Sequence, residues 1–87
     1  MFEFHWNDRS EAHIARHNVS PQEVQEATQR PYYTYSGHNE TEILLGRTYT
    51  GRYLLVVMCH AMDGRFYVAT ARDMTANERR EYNRKAR

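Results

Sequence analysis

Apolar and polar residues alternate from the start of the chain. Phe2, Phe4 and Trp6 fall on one side and Glu3 and His5 on the other, which predicts a half-buried strand over residues 2–6. Asp8-Arg9-Ser10-Glu11 has capping-box spacing and predicts a short first helix ending near His17. Ala12, Ile14 and Ala15 supply its apolar side, and Asn18 suits a left-handed cap. Ser20-Pro21-Gln22-Glu23 repeats the capping spacing, with Pro at the first helical position, where a missing N–H leaves no bond unmade. The second helix runs to about Gln29, with Val24 and Ala27 turned to the core and Val19 stapled onto Val24. Arg30-Pro31 stops it.

The period then changes to that of strands. Residues 32–36 form one, and Gly37-His38-Asn39 has turn chemistry. Residues 41–48 form the next, and Tyr49-Thr50-Gly51 turns the chain. The run RYLLVVMCH over residues 52–60 is apolar on both faces, which predicts a central strand covered at least partly on both sides. Asp63-Gly64 is a hairpin signal. In the last strand Phe66, Val68 and Thr70 alternate with Tyr67, Ala69 and Ala71 up to Arg72. Thr75-Ala76-Asn77-Glu78 then opens a final helix, a charged rod hung from the end of the sheet. The expected fold is α+β in the order β-α-α-β-β-β-β-α, a single domain over residues 1–87. Two N-terminal helices cover one face of a twisted antiparallel sheet, and a basic helix ends the chain.

Charge adds a polarity that the net value of +1 hides. Residues 1–46 hold three basic and seven acidic side chains, net −4; residues 47–87 hold nine basic and four acidic, net +5. Eleven of the twelve basic residues are Arg, whose planar fork suits phosphate, so an anionic ligand is expected on the C-terminal half. An ordinary solvated surface is the alternative. Cys59 is the single cysteine, which excludes a disulfide framework and fits a reducing cytoplasm. No apolar run approaches membrane-spanning length, and MFEFHWND lacks a signal-peptide layout.

Three ordered segments carry a resemblance: Phe4-His5-Trp6-Asn7-Asp8 with Ala12 through Pro21; Leu45-Gly46-Arg47-Thr48 with Gly51-Arg52; and Ala71-Arg72-Asp73-Met74-Thr75 with Glu78-Arg79-Arg80 and Tyr82. Together they resemble the BrnT family of toxins from type II toxin–antitoxin modules. Asn7 stands where an acid is usual in that family and Asn18 where Gly is usual; both residues still cap helix ends. The resemblance implies a RelE-like ribonuclease fold and RNA cleavage that inhibits translation and growth. It also implies neutralisation by a BrnA-like antitoxin, a ribbon-helix-helix protein through which the complex reaches operator DNA.

Metal-free RNA cleavage needs a group to assist the 2′-OH, a cation on the phosphorane and a proton for the leaving oxygen. Arg72, Glu78, Arg80, His17 and Tyr82 are the candidate catalytic residues, and Arg47, Arg79, Arg84 and Lys85 the candidate RNA contacts. Six of them have a structural alternative. Glu78 closes a capping box, Arg79 and Arg80 fit a solvated face, and Tyr82 fits a packing contact. Arg47 can pair with Glu42 or Asp73, and His17 suits a helix C-terminus. His13 and His17 have metal-ligand spacing without a third ligand, so no metal or cofactor is expected. Trp6, Tyr32, Tyr33 and Tyr35 can stack on bases or pack in the protein. A toxin-like subunit without activity, serving as binding partner or co-repressor of an antitoxin, is the competing function.

Overall fold

The computed structural model describes residues 2–87. Three helices, α1 (Asp8–Ala15), α2 (Pro21–Ala27) and α3 (Ala76–Lys85), combine with four strands, β1 (Tyr33–Ser36), β2 (Thr41–Arg47), β3 (Tyr53–His60) and β4 (Phe66–Asp73). The strands form an antiparallel meander in the order β1-β2-β3-β4. The fold is α+β, with β3 interior to the sheet as its two-sided apolarity requires.

Five local expectations are corrected. The segment 2–6 is not a full strand: Phe4 makes one parallel bridge to Phe66, held by His5 N–H to Phe66 O (2.7 Å) and Phe66 N–H to Glu3 O (2.8 Å). The chain then leaves the sheet edge because Asn7 must cap α1. Asn7, not Asp8, is that cap. Its side chain accepts from Ser10 N–H at 2.8 Å, while Ser10 Oγ accepts from Asn7 N–H at 3.1 Å. The first helix ends at Ala15 rather than near His17. Asn18 does take the left-handed conformation (φ 61°), and Val19 N–H reaches back to Ile14 O. Ala12 and Ala15 are exposed, so Ile14 and Ser10 form the buried side of α1. The second helix also stops early, at Ala27, with Thr28 as its cap.

One face of the sheet is packed by α1 and α2. Leu44, Leu54, Val56, Met58, Val68 and Ala71 meet Ile14, Val19, Val24 and Ala27 there, all close to fully buried. Each large member contributes about 1.5–3 kcal/mol on leaving water. Gly46 lets α2 approach, since a Cβ at that position would lie 1.9 Å from Ala27 O.

α3 does not hang from the end of the sheet but crosses its second face. It starts beside β4 and finishes beside β1, where Arg87 N–H donates to Tyr32 O and Lys85 lies over the Tyr33 ring. Its anchor is Tyr82, 5% exposed, packed with Leu45, Leu55 and Met74. A helix with one buried aromatic suffices because it covers only part of that face. Ile43, Val57, Cys59 and Thr70 stay half-buried beside it.

The strict alternation expected in β4 breaks at Ala69. Val68 pairs with Met58 and Thr70 with Val57, so Ala69 is an extra residue without a partner, a β-bulge. The bulge puts Val68 and Ala71 on the same core face. It also turns Thr70 and Arg72 towards the second face, opposite Val57 and Leu55. Arg72 therefore meets α3 because of this one inserted residue.

Candidate functional site

Arg72 and Glu78 form the centre of the site. Arg72 Nη1 and Nη2 donate to Glu78 Oε1 and Oε2 at 2.8 and 3.0 Å, two parallel bonds between fork and carboxylate. Glu78 also closes the capping box of α3, accepting from Thr75 N–H at 2.8 Å. The Arg72 fork holds the Glu78 carboxyl below its ordinary range against the opposing effect of burial, and the Thr75 N–H adds to it. The capping role and the pairing with Arg72 thus coexist in one side chain.

A groove of about 420 Å³ opens beside this pair. Its floor is Ile43, Leu55 and Val57, and its rim carries Tyr35, His38, Thr70, Arg72 and Glu78. It adjoins a second hollow of about 310 Å³ that shares Tyr35 and Glu78 and continues to Tyr33 and Glu81. Both volumes match small-ligand pockets, which start at about 300 Å³. Tyr35 is 38% exposed. Burial of its ring raises the phenol above its ordinary pKa, and the Glu78 charge adds to the shift. It is therefore a neutral hydroxyl at physiological pH. The sequence marked Tyr35 only as a stacking candidate, because its neighbours arrive through strand pairing (Tyr35 with Ile43, Ile43 with Val57).

A second cluster lies on the same sheet face at the strand ends. The Arg47 and Arg79 guanidiniums both lie over the Tyr53 ring, 4.4 and 4.3 Å from its centroid. Tyr53 faces Tyr82 edge-on at 5.7 Å. Arg47 pairs with neither Glu42 nor Asp73; its one hydrogen bond is a long one, 3.4 Å, to Gly51 O. Neither Arg47 nor Arg79 makes an ion pair among the described residues.

The remaining candidates lie apart from Arg72. Tyr82 is buried, and its hydroxyl donates to Pro31 O at 3.2 Å, so it packs the fold rather than facing solvent. Arg80 bonds to Asn77 and, with Arg84, lines a hollow of its own with Asn77, Glu81 and Asn83. Arg84 and Lys85 both pair with Glu81. His17 sits at the α1–α2 corner, next to Asp73 and Arg52 rather than Arg72 and Glu78. The structure thus joins Arg72 with Glu78 and Arg47 with Arg79, leaves His17 and Arg80 outside both clusters, and uses Tyr82 as a packing contact beneath the second.

Arg52 is a structural hub that sequence reasoning missed. Its Nε donates to Asp73 Oδ1 at 2.7 Å. Nη1 donates to Asn18 O at 2.6 Å and to Glu23 Oε2 at 3.1 Å, and Nη2 to His17 O at 3.1 Å. One guanidinium therefore fastens the α1–α2 corner to the ends of β3 and β4. The Asp73 bond draws its carboxyl below the ordinary range.

In comparison with known proteins, the chain matches no family model, no curated protein and no solved structure.

Proposed function

We propose that this chain is the toxin of a type II toxin–antitoxin module, a RelE-like, metal-independent endoribonuclease that cleaves RNA and stops translation. The observation that carries the reading is the Arg72–Glu78 pair at the rim of a groove that also holds Tyr35. Arg47 and Arg79 support it from the same sheet face. The resemblance of the three sequence segments, which contain these same residues, to BrnT toxins is the other support.

In this reading a phosphate takes the Arg72 fork from Glu78, as guanidinium geometry accommodates either anion. Glu78 stays anchored by Thr75 N–H and, relieved of its cation, becomes a stronger base. It removes the 2′-OH proton as the 2′-oxygen bonds to phosphorus. The bond to the 5′-oxygen breaks, and the neutral Tyr35 hydroxyl protonates that leaving oxygen. Arg72 stabilises the charge on the phosphorane. The products are a 2′,3′-cyclic phosphate and a 5′-hydroxyl. His17, Arg80 and Tyr82 have no step in this scheme.

The partner is a BrnA-like antitoxin, and the setting is the cytoplasm. Covering the groove with acidic or apolar residues silences the enzyme, because leaving several Arg buried and unpaired is prohibitive.

One observation favours a second reading. The Arg72 fork is closed by Glu78, and His17 sits beside Arg52 instead, as suits an inactive subunit that only binds an antitoxin. Expression without a partner separates the two. The toxin reading expects growth arrest that disappears with Arg72→Ala. Harmless accumulation of folded wild-type protein supports the subunit.

A further inference from the structure

Arg47 and Arg79 come from different elements, the end of β2 and the first turns of α3, and converge on one tyrosine. Two like charges mounted on one ring repel each other, and at this range salt screening is incomplete. Among the described residues no carboxylate pairs with them. Glu78, the immediate neighbour of Arg79, is taken by Arg72, and Glu42 faces the opposite side of β2. The adjoining hollow of about 370 Å³, lined by Arg30, Arg47, Tyr49 and Tyr82, has one carboxylate on its rim. That carboxylate, Glu26, accepts from Tyr49 N–H at 3.0 Å.

From this geometry we infer that Arg47, Arg79 and Tyr53 form a phosphodiester anchor, separate from the Arg72–Glu78 pair, that grips the backbone of single-stranded nucleic acid. The inference rests on the proposed RNA substrate but not on cleavage. Tyr53 is the positioning residue. Its face holds both cations through cation–π attraction and leaves their N–H edges to the ligand. A carboxylate pairs in-plane with one fork, whereas the oxygens of a phosphodiester can be shared between two forks that diverge from one ring. The anchor reads no base; it sets the register of the strand against the groove.

The test is binding of a single-stranded deoxyoligonucleotide, which lacks the 2′-OH and is not cut, measured over a range of salt. Arg47→Gln and Arg79→Gln change exposed side chains only. Each is expected to weaken binding several-fold and to reduce the salt slope by about one counterion's worth. Tyr53→Phe keeps the aromatic face and binds as wild type; Tyr53→Leu keeps the bulk and binds more weakly. Inorganic phosphate competes, and polyglutamate competes poorly. An unchanged salt slope in both Arg variants overturns the anchor, as does equal competition by polyglutamate. Wild-type binding with these losses but without RNA cleavage upholds the anchor while the nuclease reading fails. Cleavage with unaltered slopes does the reverse.

Discussion

The Arg72 guanidinium and the Glu78 carboxylate face each other through two parallel hydrogen bonds, from adjoining elements six residues apart in the chain. The pair is partly exposed, at 38% and 20% of the two side chains, so screening keeps its net contribution to stability small, about 1 kcal/mol or less. Arg72→Ala is therefore expected to change the unfolding midpoint little while abolishing RNA cleavage. Urea unfolding beside a cleavage assay checks this, and a collapse of the fold would assign the pair a structural role instead.

Arg52 carries the opposite expectation. It joins two carboxylates and two carbonyls contributed by α2, the α1–α2 corner and β4, and its side chain is 25% exposed. Arg52→Ala should destabilise the chain by about 2 kcal/mol, the scale of charged hydrogen bonds lost together. Chemical denaturation of the folded variant measures this. A loss below the scatter of the method would mean that the corner is held by its apolar contacts alone.

The same hub sets a pH dependence. Asp73 is held low by its bond to Arg52, partly offset by burial. For Glu23, burial acts upwards, but bonds from Ser20 and Arg52 outweigh it. Both carboxyls thus have folded pKa values below their unfolded ones. Their contribution is complete above the unfolded values near ~4 and is lost as pH falls through the folded values. Stability is expected to be flat near neutrality and to decline below about pH 4, with a shallower decline in Arg52→Ala. A parallel decline in both proteins would remove Arg52 from the explanation.

Gly46→Ala should be among the most damaging small substitutions. The added methyl meets Ala27 O at 1.9 Å, and a helix backbone cannot yield as a flexible side chain can. Overpacking of this kind costs about 1–3 kcal/mol. Thermal unfolding tests it, and an unchanged midpoint would show that α2 can shift outward freely.

Much of this fold is written locally, and that part was legible. The boxes opened by Ser20 and Thr75 depend on residues three apart, and both form as their spacing requires. The double-sided apolarity of residues 53–60 put β3 inside the sheet. The rest depends on partners that meet only in three dimensions. The extra residue at Ala69 follows from the pairing of β3 with β4, and no local pattern announces it. Arg52 reaches residues 21 to 35 positions away, so its role was hidden. Tyr82 was legible both as a catalytic candidate and as a packing contact, and the structure makes it the buried contact of α3. Arg72 with Glu78, and Arg79 with Arg47, were named among the candidates, but their division into two clusters comes from the path of α3 across the sheet.

The most direct measurement is incubation of the purified chain with single-stranded RNA in the presence of EDTA, followed by analysis of the ends produced. The account predicts cleavage that leaves 2′,3′-cyclic phosphate and 5′-hydroxyl termini and vanishes with Arg72→Ala. Intact RNA after incubation with folded wild-type protein, or cutting that survives loss of Arg72, would contradict it.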